Sequence, residues 1–235
     1  MFGKAIAEFE FSLIFADAPL DRFARGNSNA MTDPQKRGAL LFFGKAGCAA
    51  CHETAGHSNE MFSDFHDRVA GTPQIAPQVT NNNFDGLDAN EDFGLEEITS
   101  DPADRYKFRT SPLRNLAVQQ AFFHNGAFTR LEDALRYHLN PTAGAKTYSP
   151  KQQHLDSDLA GPLGPMQPVL DRLDPRLKTD AQLSAREFND LILFLRDGLL
   201  DPRALPNNLR SLVPAVVPSG RPVLKFEFDS NKQKK

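Results

Sequence analysis

The chain has 235 residues, enough for one large or two small domains, and its 40 % hydrophobic and 24 % charged residues are an ordinary globular balance. A formal net charge of −3 argues against a nucleic-acid partner, which needs a clustered basic face. No apolar segment approaches the length that spans a bilayer, so no membrane span is expected.

Residues 4–15 place Ile6, Phe9, Leu13 and Ile14 near helical period. The same stretch is not a signal peptide, because Lys4, Glu8 and Glu10 interrupt it and no small-residue cleavage site follows. Asp17-Ala18-Pro19-Leu20-Asp21 breaks the pattern. Thr32-Asp33-Pro34 starts a helix, with a cap residue and then Pro in the first turn. That helix runs through Arg37 to Phe43 and stops at Gly44 and Gly47. Residues 53–112 are rich in Gly, Pro, Asn and Asp and read as long loops, in which Asp92, Glu96 and Glu97 are solvated charges. Thr129-Arg130-Leu131-Glu132 reads as a capping box opening a helix over 131–139, closed by Pro141. Residues 140–180, with six prolines, read as loop. Ser184-Ala185-Arg186-Glu187 opens a second capped helix, with Phe188, Leu191, Ile192, Leu195 and Leu199 on one stripe. The tail from Pro202 is Pro-rich and irregular, and Lys232 to Lys235 is expected to be disordered. The resulting class is mainly α, with long loops and few or no strands. The expected division is a lead-in helical segment over 1–30, a main helical domain over 31–202 and an irregular tail over 203–235.

Cys48-Ala49-Ala50-Cys51-His52 carries the chemistry. Cys-x-x-Cys-His is the attachment signature of a c-type haem: two thiols join one porphyrin edge, and the next residue supplies the proximal nitrogen to iron. Cys48 and Cys51 are the only cysteines, so none is left to complete a four-ligand zinc or iron–sulfur site. A thioredoxin-like motif would need a βαβ setting, and a Cys48–Cys51 disulfide would close too small a loop to stabilise much. One covalent haem is therefore expected, ligated by His52. Nineteen Phe could line its pocket, or simply fill a core.

The sixth ligand decides the chemistry, because a closed iron transfers electrons and an open one binds small ligands. His57, His66, His124, His138, His154, Met31, Met61, Met166 and Tyr137 are candidates. His138 lies seven, four and three residues after Leu131, Ala134 and Leu135, so it shares their inward face. The alternative for it is a core histidine bonded to a carbonyl. Tyr137, about 100° round the helix, is the runner-up, and both cannot meet one iron. Met166 sits in a Pro-Gly loop and is as well suited to filling a core gap. His57 is too near the attachment site to reach the opposite face. His124, before Asn125-Gly126, is expected in a turn beside the pocket, bonding a propionate or the backbone. Arg114 is either a propionate partner or a surface side chain.

In chain order stand Arg37-Gly38-Ala39-Leu40-Leu41-Phe42, Cys48 to His52, Phe65-His66, Phe108-Arg109-Thr110-Ser111-Pro112-Leu113-Arg114-Asn115, Phe122-Phe123-His124-Asn125-Gly126-Ala127-Phe128 and Leu131-Glu132-Asp133-Ala134. This set resembles the di-haem bacterial cytochrome c peroxidase family, which includes the MauG-like enzymes, over about residues 5–220. The resemblance implies a cytochrome c-like haem domain over 31–202, the C-terminal half of an oxidoreductase, which accepts electrons from a donor and passes them to a second, catalytic haem domain. It implies a periplasmic location, with the signal peptide outside this chain. The position that carries Met or Tyr in relatives is His138 here, and a His/His haem would have a lower potential than a Met/His one. Calcium is implied through the Thr110 and Pro112 segment, with the rest of that site outside this chain. The rival readings are a stand-alone monohaem electron carrier and a haem sensor with a labile sixth ligand.

Overall fold

The computed structural model describes residues 2–56, 60–75 and 90–223. The α-helices are α1 (Phe2–Ser12), α2 (Pro19–Ala24), α3 (Asp33–Phe43), α4 (Glu96–Thr99), α5 (Leu131–Leu139), α6 (Pro141–Thr147), α7 (Gln167–Asp171), α8 (Ala185–Leu193) and α9 (Pro206–Leu209). Among the described residues the sheet content is one two-residue antiparallel pair, β1 (Asp67–Arg68) with β2 (Phe108–Arg109), in which Arg68 stands opposite Phe108. The fold is thus mainly α, as the sequence indicates.

The caps explain where the two central helices begin. Thr32 Oγ1 accepts from the Gln35 amide while Gln35 Oε1 accepts from the Thr32 amide, and Pro34 needs no partner in the first turn of α3. Ser184 and Glu187 make the same reciprocal box for α8. α3 and α8 pack so closely that a methyl group on Gly38 would lie 2.1 Å from the Asp190 carbonyl oxygen. Arg37 forks onto Asp190 at 2.7 and 3.0 Å beside that contact. α8 runs on as a π turn over Phe194–Gly198. The expected stripe, Phe188, Leu191, Ile192, Leu195 and Leu199, is buried throughout. Aromatic rings meet at this junction: Phe42 lies against Phe62 and Phe194 at ring separations of 5.6 and 5.5 Å.

Three local expectations change. The stretch 140–180 is not all loop, because Asn140 accepts from the Ala143 amide and Pro141 opens α6, and α7 follows. A Pro that ends one helix suits the first turn of the next, since its fixed φ is helical and its missing N–H has no partner there. The capping box at Thr129 does not form. Arg130 is the cap position, and the Thr129 hydroxyl donates to the Gln153 carbonyl at 2.7 Å. The tail after Asp201 holds one-turn helices at Pro202–Ala204, Pro206–Leu209 and Arg210–Leu212, while Lys232 to Lys235 lies outside the described residues.

The first thirty residues divide in two. α1 buries none of its residues. The segment from Asp17 to α2 is tied in: the Asp17 amide donates to the buried Asp201, and Asp21 accepts a fork from Arg114 at 2.6 and 2.8 Å. No described helix is long and apolar enough to cross a membrane.

Candidate haem site

Gly47, in the left-handed region at φ 67°, turns the chain out of α3 and starts a 3-10 turn over Cys48–Ala50. The amides of Cys51 and His52 both donate to the Cys48 carbonyl, at 3.2 and 2.9 Å, which winds the motif into one tight coil. Both cysteines are free. Burial pushes the Cys48 thiol up to about 12, and it also raises Cys51, against the pull of Arg68 and Arg176. A redox-active Cys-x-x-Cys works through a lowered thiol pKa, so these shifts argue against that use.

Cys48, Cys51 and His52 open onto an apolar cavity of about 210 Å³, bounded on other sides by Phe42, Leu116 and Leu195. His52 Nδ1 donates to the Phe62 carbonyl at 2.9 Å, which leaves Nε2 as the basic nitrogen. Hydrogen bonding of one ring nitrogen to a carbonyl is how proteins fix the tautomer of a metal-binding histidine. Burial lowers the His52 pKa, with the Phe62 carbonyl and Asp64 opposing it.

α5 forms the opposite wall. Leu131, Ala134, Leu135 and His138 all line the cavity, as their spacing predicts. His138 is held down to about 4, first by burial and then by His52, so it is a neutral base at pH 7. Its ring makes no hydrogen bond to another described residue. The His52 and His138 ring centres are 6.3 Å apart. That separation suits one metal between them, since imidazole–metal bonds are about 2 Å each and the ring radii supply the rest. Among the described residues no three His, Cys, Asp or Glu side chains are grouped to hold a metal ion. Two facing histidines, two free thiols at one edge and an apolar cavity between fit a c-type haem, whose porphyrin brings its own four nitrogens.

The remaining candidates separate clearly. Tyr137 points elsewhere, its hydroxyl donating to the Gly71 carbonyl at 2.5 Å in the core. Met31 is in the core, Met61 is exposed, and Met166 packs near Val69 and Tyr106. His66 and His154 are exposed, and His57 lies outside the described residues. His124 does line the cavity, stacked on Phe108 with ring centres 3.5 Å apart. Its Nε2 lies 3.1 Å from Asp92, so Asp92 is a paired, half-buried carboxylate rather than a solvated charge. Glu96 is likewise forked by Arg105. Arg114 is neither of its two expected roles. Its side chain is 8 % exposed and is committed to Asp21 and to the Glu60 carbonyl, because α2 brings a buried carboxylate to it. The Thr110 carbonyl accepts from Ser63 Oγ at 2.6 Å, and its hydroxyl donates to the His66 carbonyl. Pro112 follows in the same segment, and a calcium site there would draw on residues beyond those described. Arg68 is a cavity-lining residue that no sequence pattern flags: a lone Arg in a loop-rich stretch has no spacing signature.

No family model matches the chain. A cytochrome-c peroxidase IdrP1 of Pseudomonas sp. (strain SCT) is 34 % identical over 154 residues, covering 57 % of this chain and 39 % of the relative. The methylamine utilization protein MauG of Methylorubrum extorquens is 34 % identical over 137 residues, 57 % of this chain and 33 % of the relative. A cytochrome-c peroxidase IdrP1 of Denitromonas iodatirespirans is 30 % identical over 197 residues, 76 % of this chain and 52 % of the relative. The chain therefore spans between a third and about half of the length of these relatives. A MauG-like protein associated with microbial copper homeostasis has a similar fold, with a TM-score of 0.54 at 24 % identity, over 82 % of this chain and 55 % of that one.

Proposed function

From the premise that this chain belongs to the family of di-haem cytochrome c peroxidases and MauG-like proteins, we propose that it is the electron-transfer part of a haem oxidoreductase. Cys48 and Cys51 would hold one haem covalently, and His52 and His138 would coordinate its iron. A c-type haem supplies one-electron exchange when bound. The chain's residues do the rest. The Phe62 carbonyl holds the His52 tautomer, α5 places His138, and the Phe and Leu walls exclude water. His124, held by Asp92 against Phe108, stands at the cavity wall where a haem carboxylate can be met. With both histidines committed to the iron, the chain would relay electrons from a donor to a second haem domain rather than cleave peroxide itself. Covalent haem attachment would support a periplasmic location for this work.

The observation that carries this reading is the His52–His138 pair across the cavity. The test is expression with a c-type maturation system, followed by a haem stain and an optical spectrum. The expected result is one covalent haem with a low-spin ferric spectrum and no sulfur–iron charge-transfer band. High-spin iron that reacts directly with peroxide would overturn the relay. A second Cys-x-x-Cys-His encoded upstream would support the two-haem arrangement, and a signal peptide alone in that place would favour a single-haem carrier.

A further inference from the structure

Arg68 is nearly buried, at 12 % side-chain exposure, and lines the same cavity as Cys51 and His52. All three of its guanidinium nitrogens face a polar partner. Nη1 donates to Asp64 Oδ1 at 2.7 Å and to Thr110 Oγ1 at 2.8 Å, Nη2 donates to Asp64 Oδ2, and Nε faces Asp174 at 3.4 Å. The Asp64 and Asp174 side chains are 7 % and 11 % exposed. One buried cation thus balances two buried carboxylates, helped from outside by the half-exposed Arg176 at 3.4 Å from Asp174.

Asp64 belongs to the segment that holds the attachment motif. The Asp64 amide donates to the Cys51 carbonyl at 2.9 Å and the Ser63 amide to the Glu53 carbonyl at 3.1 Å. Between those straps the Phe62 carbonyl receives His52 Nδ1. The backbone there is strained: Phe62 and Phe65 have φ of 61° and 58°. Bulky residues stay in the left-handed region only where their surroundings over-determine them. The Arg68 fork on Asp64 and the Ser63 bond to Thr110 provide that constraint.

We infer that Arg68 is a positioning residue that sets the redox potential of the attached haem, by holding Asp64 and the Phe62 carbonyl behind His52 and by neutralising Asp64 and Asp174 at the cavity wall. The inference rests on the reading of the cavity as a haem site. A positive charge beside a redox centre favours the reduced form, and a low-dielectric wall enlarges the effect. Loss of Arg68 leaves excess negative charge and favours the ferric state. Loss of the Asp64 charge does the opposite.

The test uses the haem-loaded chain as wild type, Arg68→Gln, Arg68→Lys and Asp64→Asn. Midpoint potentials come from spectroelectrochemical titration at pH 7, alongside optical spectra and thermal unfolding. Arg68→Gln is expected to lower the potential and Asp64→Asn to raise it. Arg68→Lys keeps the charge without the fork and is expected to recover most of the Arg68→Gln shift. All three break the fork and lower the melting temperature, so loss of stability cannot produce shifts of opposite sign. Shifts of the same sign in Arg68→Gln and Asp64→Asn, or no shift in either, would overturn the inference. If Arg68→Gln fails to mature, an unshifted Asp64→Asn is enough to overturn it. A wild-type chain that acquires no covalent haem sinks the site itself, whereas attached haem with unmoved potentials sinks only the role of Arg68.

Discussion

The imidazoles of His52 and His138 face each other across one cavity, 6.3 Å between ring centres, yet they are held very differently. His52 is pinned by the Phe62 carbonyl. His138 is placed by α5 alone, with no hydrogen bond to a described side chain or carbonyl. A side chain without such a partner is held by helix packing.

Replacing His138 by Ala should therefore open the iron without detaching the haem, because Cys48 and Cys51 are untouched. The ferric spectrum should change from low spin to high spin. The ferrous form should bind carbon monoxide, and added imidazole should restore the low-spin bands. An unchanged spectrum would show that another residue fills that position.

Arg114→Ala tests a different assignment. The Arg114–Asp21 fork is buried on both sides, and removing one partner of such a pair typically costs about 3–5 kcal/mol through the stranded charge. A loss of that order in denaturant unfolding, with an unaltered haem spectrum, is expected. A changed haem potential with little loss of stability would return Arg114 to the haem.

Gly38→Ala sets two effects against each other. Alanine gains about 1 kcal/mol over glycine inside a helix. The added methyl, however, meets the Asp190 carbonyl oxygen at 2.1 Å and Phe194 Cβ at 2.6 Å, both on a packed helix that has little room to yield. Overpacking of that kind costs about 1–3 kcal/mol and occasionally more, so a net loss is expected. Unfolding that matched wild type would mean that α3 and α8 slide apart freely.

Acid stability should depend on Asp64. The Arg68 hydrogen bonds hold its carboxyl down to about 2, against about 3.9 in an unfolded chain. A carboxyl depressed in the folded state contributes stability above its unfolded pKa and loses it as pH falls through the folded one. Stability of the chain should fall between about pH 4 and pH 2, and Asp64→Asn should flatten that limb. An equally steep limb in the variant would place the acid-sensitive group elsewhere.

Much of the site is legible without coordinates because it depends on local spacing. The coil of Cys48 to His52 and the shared face of Leu131, Ala134, Leu135 and His138 follow from residues a few positions apart. The two capped helices at Thr32 and Ser184 are local in the same sense. Thr129 shows the limit of such reasoning: it matches a capping pattern, but the carbonyl of Gln153 competes for its hydroxyl. Pro141 reads as a helix stop, but it also opens α6, and Asn140 before it, which ends α5 and caps α6, is the signal for both.

The sequence by itself determined the attachment motif, the mainly α class and the helix face that carries the second histidine, since each rests on periodicity or contiguous residues. Only the tertiary structure decided that His138 rather than Tyr137 faces His52. The same holds for Arg114, which belongs to Asp21, for Asp92, which holds His124, and for Arg68, which sits between two buried carboxylates. Apart from Arg68 with Asp64, four positions away, those pairings join residues distant in sequence. What selects them is the cost of burying a charge without a partner, which acts only once the chain has folded around it.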